Sequence, residues 1–227
     1  MKKHVALIPA YNEEKKIREV IYHLRKHPDV DIIVIDDGSI DRTAEIVKKH
    51  KVILLQHEFN RGKGEALRTG ITYILKHHPA EYIVLVDADM QYHPSEAIKL
   101  LPPLERKEAD FVVGFRIFSK IPYANKMGNG GWKWLFNLLF GTGFIDTNCG
   151  LIAFNRKAAK VILKNVYGGY IIENAIKIRV IENNLRIAQV PVNVRYGKRR
   201  VAKFARMFFG NSLFILIEGI KYKIRHG

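Results

Sequence analysis

The strongest constraint on the fold is an alternation, in the first half of the chain, of short apolar runs rich in β-branched residues with longer amphipathic runs. The apolar runs predict strands over 4–9, 31–36, 52–56, 81–87 and 110–115. Helical spacing of apolar residues between them predicts helices over 13–27, 41–50, 63–77 and 94–106. Alternating strands and helices form βαβ units, so the pattern predicts a mostly parallel α/β sheet with helices on both faces.

The second half of the chain is less regular. A loop with several glycines around 128–131 and an aromatic run over 132–144 come first. They are followed by a predicted strand at 149–154, helices near 156–164 and 171–183, and a short extended pair around 186–195.

Composition excludes several classes of protein. Apolar residues make up 48% of the 227 and charged residues 26%, as in globular proteins rather than disordered or polytopic membrane chains. A single cysteine, Cys149, excludes an intramolecular disulfide framework and a cysteine-built zinc site. The apolar run that follows the N-terminal Met1-Lys2-Lys3 is too short for a secretory signal, so we expect a cytoplasmic chain.

Charge is distributed unevenly along the sequence. The formal net charge is +16, and all of the excess lies after residue 110, because basic and acidic residues balance over 1–110. The positive half predicts an anionic partner, which can be nucleic acid, an anionic membrane or a phosphorylated substrate.

The last segment, 206–227, combines an apolar run with flanking basic residues. The apolar part is about 14 residues long, below the roughly 20 that a membrane-spanning helix needs. An interfacial amphipathic helix and a helix packed on the domain are both compatible with this pattern.

Polar clusters follow the first two predicted strands, at the edge where open α/β sheets bind ligands. Tyr11 and Glu13 come after the first strand and suit contacts with a nucleobase or ribose, although the segment can equally be a helix N-terminus. Asp36 and Asp37 end the second strand, where a carboxylate suits a base N–H; a turn capped by Asp41 is the alternative.

Two further clusters concern phosphate and metal. The loop 60–64 has two glycines and two cations before a predicted helix, so it can receive phosphate, although it lacks Walker A spacing. Asp87 ends the predicted fourth strand, and Asp87, Asp89 and Gln91 alternate from there, so on extended backbone they would point the same way. Because such oxygens suit Mg²⁺ and Mn²⁺, two acids without a compensating charge at this strand exit predict a divalent metal.

Together these segments resemble glycosyltransferase family 2, whose members are inverting enzymes with a GT-A fold. The matching segments, in order, are PAYNEE (9–14), VIDDGSIDRT (34–43), NRGKGEALRTG (60–70) and VDADMQYHP (86–94). Gly114-Phe115-Arg116 and the stretch 146–154 also resemble elements of that family, with Phe115 in place of the usual Ser. The resemblance covers roughly residues 1–200 and points to the dolichyl- or polyprenyl-phosphate sugar synthases.

The resemblance implies roles for individual residues. A nucleotide-sugar donor would be bound by Pro9, Tyr11, Glu13, Asp37, Asp87, Ala88, Asp89, Gln91 and Arg116. The metal, Mg²⁺ or Mn²⁺, would be held by Asp87, Asp89 and Gln91. The catalytic residues would be Asp89, Arg116 and Glu173, and the acceptor's phosphate would meet Arg195, Lys198 and Arg200.

The resemblance also implies an organisation and a reaction. It predicts a GT-A catalytic domain over 1–200, with a nucleotide-sugar-binding half at 1–110, an acceptor-side half at 111–200, and a basic amphipathic helix at 201–227. The reaction would move a sugar from a UDP- or GDP-sugar to a polyprenyl phosphate with inversion. We expect a peripheral protein on the cytoplasmic face of the membrane, because a polybasic stretch with an amphipathic helix is drawn to an anionic leaflet.

Three alternatives stay open. A soluble or glycan hydroxyl acceptor would need a general base, for which Glu173 is the candidate, whereas an ionised lipid phosphate needs none. A nucleotidyltransferase would also place a metal on aspartates at strand ends. A nucleic-acid-binding protein would account for the charge of +16 but not for the acids that end strands, so we expect no nucleic acid partner. The sequence leaves the oligomeric state undecided.

Overall fold

The computed structural model describes residues 2–117, 123–164, 172–194 and 214–225, without the side chains of 123–130 and 132. The strands are β1 (His4–Ala10), β2 (Val30–Asp36), β3 (Ile53–Gln56), β4 (Tyr82–Leu85), β5 (Phe111–Arg116), β6 (Ile152–Asn155) and β7 (Ile187–Val192). The helices are α1 (Ile17–Leu24), α2 (Thr43–Lys49), α3 (Lys63–His77), α4 (Pro94–Ile98), α5 (Pro102–Glu105), α6 (Tyr123–Phe140), α7 (Arg156–Leu163), α8 (Ile172–Glu182) and α9 (214–225).

The seven strands form one sheet in the order β3-β2-β1-β4-β6-β5-β7. The first four strands run parallel to one another, and β7 runs parallel to β5. β6 is inserted antiparallel between β4 and β5. The predicted mostly parallel α/β sheet is therefore confirmed, with one reversed strand inside it.

Alternate residues of the central strands pack into two apolar cores, one on each face of the sheet. On β1, Leu7 belongs to the core that includes α3, and its neighbour Ile8 belongs to the core that includes α1. Gly70 of α3 lies so close to the sheet that a Cβ there would be 2.3 Å from Leu7 Cδ1. The helix can approach β1 this closely because position 70 has no side chain.

The single helix predicted over 94–106 is wrong, because the structure has two short helices there, α4 and α5. Pro102 is the first residue of α5. Proline has no N–H to donate to the preceding turn and restricts the residue before it, so it starts a helix readily but does not continue one.

The loop predicted around 128–131 is also wrong, since these residues lie inside α6. Phe136 and Phe140 are four residues apart on this helix and buried, with ring centroids 4.7 Å apart. Burial of this aromatic face outweighs the low helix propensity of glycine, which costs about 1 kcal/mol per residue relative to alanine.

The extended pair predicted around 186–195 is instead the single strand β7. It pairs with β5, with Ile187 opposite Phe111. The sequence pattern indicated extended backbone but carried no information about its distant partner.

The C-terminal helix α9 packs on α6. The Phe140 and Tyr222 rings lie 5.4 Å apart, and a Cβ at Gly219 would be 2.6 Å from Leu139 Cδ1. Ile217, Ile220 and Ile224 of the same helix remain exposed. In the described part of the chain, no helix has the length and apolar character needed to cross a bilayer.

Candidate active site

The first wall of the site is formed where β1 and β2 end. The Asn12 and Glu13 amides donate to Ser39 Oγ at 2.9 Å and Thr43 Oγ1 at 2.8 Å, and the Ile40 amide donates to Asn12 Oδ1 at 3.0 Å. These bonds hold two loops together. They leave Tyr11 43% exposed beside them, so its ring is available to a ligand.

Asp37 fixes the loop that leads into α3. This carboxylate is 3% exposed and accepts hydrogen bonds from the Arg61 amide at 3.0 Å and the Gly62 amide at 2.8 Å. His57 Nδ1 lies 2.7 Å from Asp37 Oδ1, and its Nε2 lies 2.9 Å from Thr69 Oγ1. No local motif ties His57 to Asp37, so the sequence does not indicate this contact.

Lys63, the first residue of α3, connects the two halves of the site. Its Nζ donates to Asp87 Oδ1 at 2.9 Å and to Glu173 Oε1 at 2.8 Å. Burial disfavours its charged form, but the two carboxylates outweigh that effect and hold the pKa of Lys63 well above its ordinary value. The premise that the acids after β4 lack a compensating charge was therefore wrong, because Lys63 supplies one to Asp87.

Of the acids after β4, Asp89 lies in a turn, and Asp87 lies between the end of the strand and that turn. β4 ends at Leu85, and Met90 has a φ of 57°, so strand alternation does not apply to Asp87 and Asp89. Asp89 Oδ1 accepts from the Gln91 amide at 2.9 Å, which closes the turn. The side chain of Asp87 is 28% exposed, so it faces the edge of the sheet where a ligand can reach it.

Negative charge accumulates at this edge. Burial raises the pKa of Glu13; Lys16 opposes the rise, and Asp89, Asp41 and Asp87 add to it. The carboxylates of Glu13, Asp87 and Asp89 therefore lie within electrostatic reach of one another. Such a group favours binding of a cation.

A divalent metal fits the residues present, provided that a substrate supplies further ligands. The described residues contain no cluster of three or more His, Cys, Asp or Glu side chains placed to hold a metal. Two aspartates and an amide match the small protein ligand set of Mg²⁺ bound with a diphosphate. Gly150 leaves space beside them, since a Cβ there would lie 3.5 Å from Asp87 Oδ2 and 4.0 Å from Glu173 Oε1.

Arg116 lies in a buried ion pair at the end of β5. Its Nε and Nη2 donate to the two carboxylate oxygens of Asp146, at 2.6 Å and 2.9 Å, and its amide donates to Asp146 Oδ2 at 3.2 Å. Burial disfavours the charged carboxylate, but Arg116 outweighs it and lowers the pKa of Asp146. Arg116 is 5% exposed, so its first contact is Asp146 rather than open solvent.

The remaining predicted residues fall in different surroundings. Pro9 lies within β1 opposite Ile35, and Ala88 is 4% exposed in one of the two apolar cores. Glu173 lies in the first turn of α8 and contacts Lys63. The predicted acceptor-phosphate contacts Arg195, Lys198 and Arg200 lie outside the described residues. The structure thus brings Asp87, Asp89, Glu13 and Glu173 to one edge of the sheet.

Two relatives are similar over nearly the whole chain. An uncharacterised protein of Methanocaldococcus jannaschii is 34% identical over 218 residues, which is 93% of this chain and 89% of that protein. The UDP-N-acetylglucosamine–dolichyl-phosphate N-acetylglucosaminyltransferase of Methanococcus voltae is 32% identical over 240 residues, covering 95% and 94% of the two chains.

Solved structures have the same fold. Glucosyl-3-phosphoglycerate synthase from Mycobacterium tuberculosis, in complex with Mn²⁺, UDP and glucosyl-3-phosphoglycerate, superposes with a TM-score of 0.76 at 21% identity. The match covers 96% of this chain and 80% of that one. A complex of the same enzyme with Mg²⁺ and UDP gives a TM-score of 0.76, over 96% and 79% of the two chains. The chain therefore has the predicted GT-A-like fold.

Residues 5–164, more than two thirds of the sequence, match the profile of the family described as Glycosyl transferase family 2. That match, together with relatives above 30% identity over most of their length, means that this chain belongs to glycosyltransferase family 2.

Proposed function

We propose that this chain is an inverting glycosyltransferase that moves a hexose unit from a UDP- or GDP-sugar to a polyprenyl phosphate at a membrane surface, with the help of a divalent metal. The observation that carries the proposal is that Lys63 forms ion pairs with both Asp87 and Glu173 at the carboxyl edge of the sheet. This contact joins the donor-side turn to the acceptor-side helix, as transfer between two substrates requires.

The donor half would be formed by the loops after β1, β2 and β4. Tyr11 is exposed enough to lie against a base or ribose, and Glu13 and Asp37 border the same loops. Asp87, Asp89 and Gln91 would hold Mg²⁺ or Mn²⁺. When bound, the ion would neutralise charge that grows on the departing diphosphate. The neighbouring synthase structures, solved with UDP and Mn²⁺ or Mg²⁺, support a nucleotide donor and a divalent metal.

The chemical step would be a single in-line displacement. An acceptor oxygen attacks the anomeric carbon while the bond from that carbon to the diphosphate oxygen breaks. The Lys63 ammonium, held beside Asp87, would keep fixed positive charge near the leaving group. Arg116 is already bonded to Asp146, so it would act on the acceptor's phosphate as an ion pair rather than as a free cation.

A phosphate acceptor suits Glu173 better than a hydroxyl does. A hydroxyl acceptor needs a general base within hydrogen-bond reach, whereas a lipid phosphate is ionised at neutral pH. Glu173 Oε1 is already engaged by Lys63 at 2.8 Å. The dolichyl-phosphate acceptor named for the Methanococcus voltae relative supports the same choice.

A membrane location would follow from the surface formed by α6 and α9. Trp134 and Leu138 of α6 are 65% and 52% exposed, four residues apart, and α9 adds the exposed Ile220 and Ile224. These helices carry the basic residues Lys126, Lys133, Lys221, Lys223 and Arg225. Exposed apolar side chains with flanking cations suit the interface of an anionic leaflet, and the cytoplasmic face is the one that carries such lipids.

Transfer assays test the proposal directly. Purified protein is incubated with radiolabelled UDP- and GDP-sugars, with Mg²⁺, Mn²⁺ or EDTA, and with polyprenyl phosphate, polyprenol or 3-phosphoglycerate as acceptor. We expect labelled lipid, and release of nucleoside diphosphate, only with polyprenyl phosphate and metal. Transfer to polyprenol or 3-phosphoglycerate instead would replace the proposed acceptor, and release of pyrophosphate would indicate nucleotidyl transfer.

A further inference from the structure

Lys177 is a buried lysine beneath the acceptor side of the site. It lies on α8 one turn after Glu173 and is 0% exposed. Its ammonium donates to the carbonyl of Thr147 at 2.7 Å and to that of Cys149 at 3.2 Å. Within the described ranges, no carboxylate lies at ion-pair distance from this ammonium, so backbone carbonyls are its direct partners.

The segment that Lys177 holds, 146–150, borders three of the groups proposed to act on the substrates, Arg116, Asp87 and Glu173. At its start, Asp146 binds Arg116 by two side-chain hydrogen bonds. At its end, Gly150 lies beside Asp87 and Glu173, as the Cβ distances above indicate. A shift of this segment would therefore change the spacing between Arg116 and the two acids.

Burial of a lysine for a purely structural contact costs free energy. Desolvation of a buried ammonium disfavours its charged form, and well-packed apolar side chains often replace buried charges without loss of stability. Burial lowers the pKa of Lys177, while Asp146 and Glu173 oppose the shift and Arg116 adds to it. The Cys149 thiol also opposes the shift. The cost of keeping a cation here points to a functional role.

We propose that Lys177 is a positioning residue for sugar transfer, which ties the 146–150 segment to α8 and so fixes Arg116 relative to Asp87 and Glu173. The expected effect of Lys177 on the rate of sugar transfer rests on the proposed function. Its structural consequence, a tethered 146–150 segment, can be measured separately.

The test compares three variants of the whole chain. Lys177→Met removes the ammonium and keeps a similar length, and Lys177→Arg keeps a cation. Lys160→Met is the matched control, because Lys160 is exposed on the neighbouring helix α7. Each variant is measured by thermal melting, by amide hydrogen exchange of a peptide spanning 146–150, and by steady-state kinetics with donor and acceptor varied in turn.

For Lys177→Met we expect an unchanged or higher melting temperature and roughly tenfold faster exchange at 146–150. We also expect kcat to fall by about 10²-fold with little change in the KM of the donor. Lys177→Arg should retain slow exchange and part of the activity. It should also lose less rate at alkaline pH than the native enzyme, since a guanidinium stays protonated there.

Two outcomes would overturn the inference. One is that Lys177→Met has the same hydrogen exchange at 146–150 and the same kcat as the native enzyme. The other is that its loss of activity is fully explained by the fraction of protein that is unfolded. If Lys177→Met does not fold, Lys177→Gln, which keeps a single donor group, takes its place in the same comparison. If the native chain transfers no sugar to any acceptor, the proposed function fails, while hydrogen exchange still decides whether Lys177 holds the segment.

Discussion

Replacing Asp146 with Ala should destabilise the fold strongly, because it leaves the guanidinium of Arg116 buried without its partner. The two side chains are 6% and 2% exposed and share two hydrogen bonds, at 2.6 Å and 2.9 Å. Removal of one member of a buried pair costs about 3–5 kcal/mol. Urea denaturation at neutral pH should therefore show a large fall in midpoint with little change in slope.

An exposed pair of the same geometry provides the control. Arg106 Nε and Nη2 donate to both carboxylate oxygens of Glu108, at 2.7 Å and 2.9 Å, but the two side chains are 58% and 55% exposed. Glu108→Ala should leave the midpoint within experimental error, because solvent replaces the lost partner. Equal effects of Glu108→Ala and Asp146→Ala would refute the reasoning, since the two side-chain contacts have similar geometry and differ in burial.

The effect of Asp146→Ala should also depend on pH in a defined direction. The folded pKa of Asp146 is depressed, so its contribution is fully present above the unfolded pKa and is lost as pH falls through the folded pKa. The difference in stability between native and variant should therefore shrink toward acid pH. Replacing both residues with apolar side chains, Arg116→Met with Asp146→Leu, should recover most of the loss.

Three further perturbations give distinct readouts. Asp89→Asn should abolish turnover with an unchanged melting temperature; retained turnover would remove Asp89 from the metal site. Gly70→Ala should lower the free energy of unfolding by about 1–3 kcal/mol, because the new Cβ would lie 2.3 Å from Leu7 Cδ1. Gly131→Ala, where the new Cβ would meet no neighbouring atom within 4 Å, should instead stabilise α6 by up to about 1 kcal/mol. Equal effects of the two variants in denaturant unfolding would contradict this contrast. Ile224→Asp, at a side chain 79% exposed, should weaken co-sedimentation with anionic liposomes without changing stability, and undiminished binding would exclude α9 from the membrane contact.

The sequence predicted well those parts of the fold that local periodicity determines. Ile17, Val20, Ile21 and Leu24 have helical spacing within the predicted helix 13–27, and all four are buried in α1. The bounds 63–77 predicted for the third helix agree with α3. The sequence pattern gave the wrong secondary structure where contacts with distant parts of the chain determine it. In α6, burial of Phe136 and Phe140 keeps the glycines in a helix.

The candidate site shows the same division. The sequence indicated which acids end the strands, because an acid after an apolar run is visible in one dimension. It could not show that Lys63 neutralises Asp87, since the two residues are 24 positions apart. Lys177 was missed for a similar reason, as its carbonyl partners are 30 and 28 residues away on the chain.

One reversed strand accounts for how the two halves of the site come together. In an all-parallel sheet, the residues before β6 would lie at the opposite edge from those after β4. Because β6 is antiparallel, Val84 pairs with Ala153, and continuing that register by three residues places Asp87 opposite Gly150. The short distance between Asp87 Oδ2 and position 150 agrees with this register. On its other side, the Gly114 amide donates to the Leu151 carbonyl at 2.9 Å, which brings the end of β5 to the same edge. The segment 146–150 therefore reaches the acids that follow β4 because a single strand, β6, runs in the reverse direction.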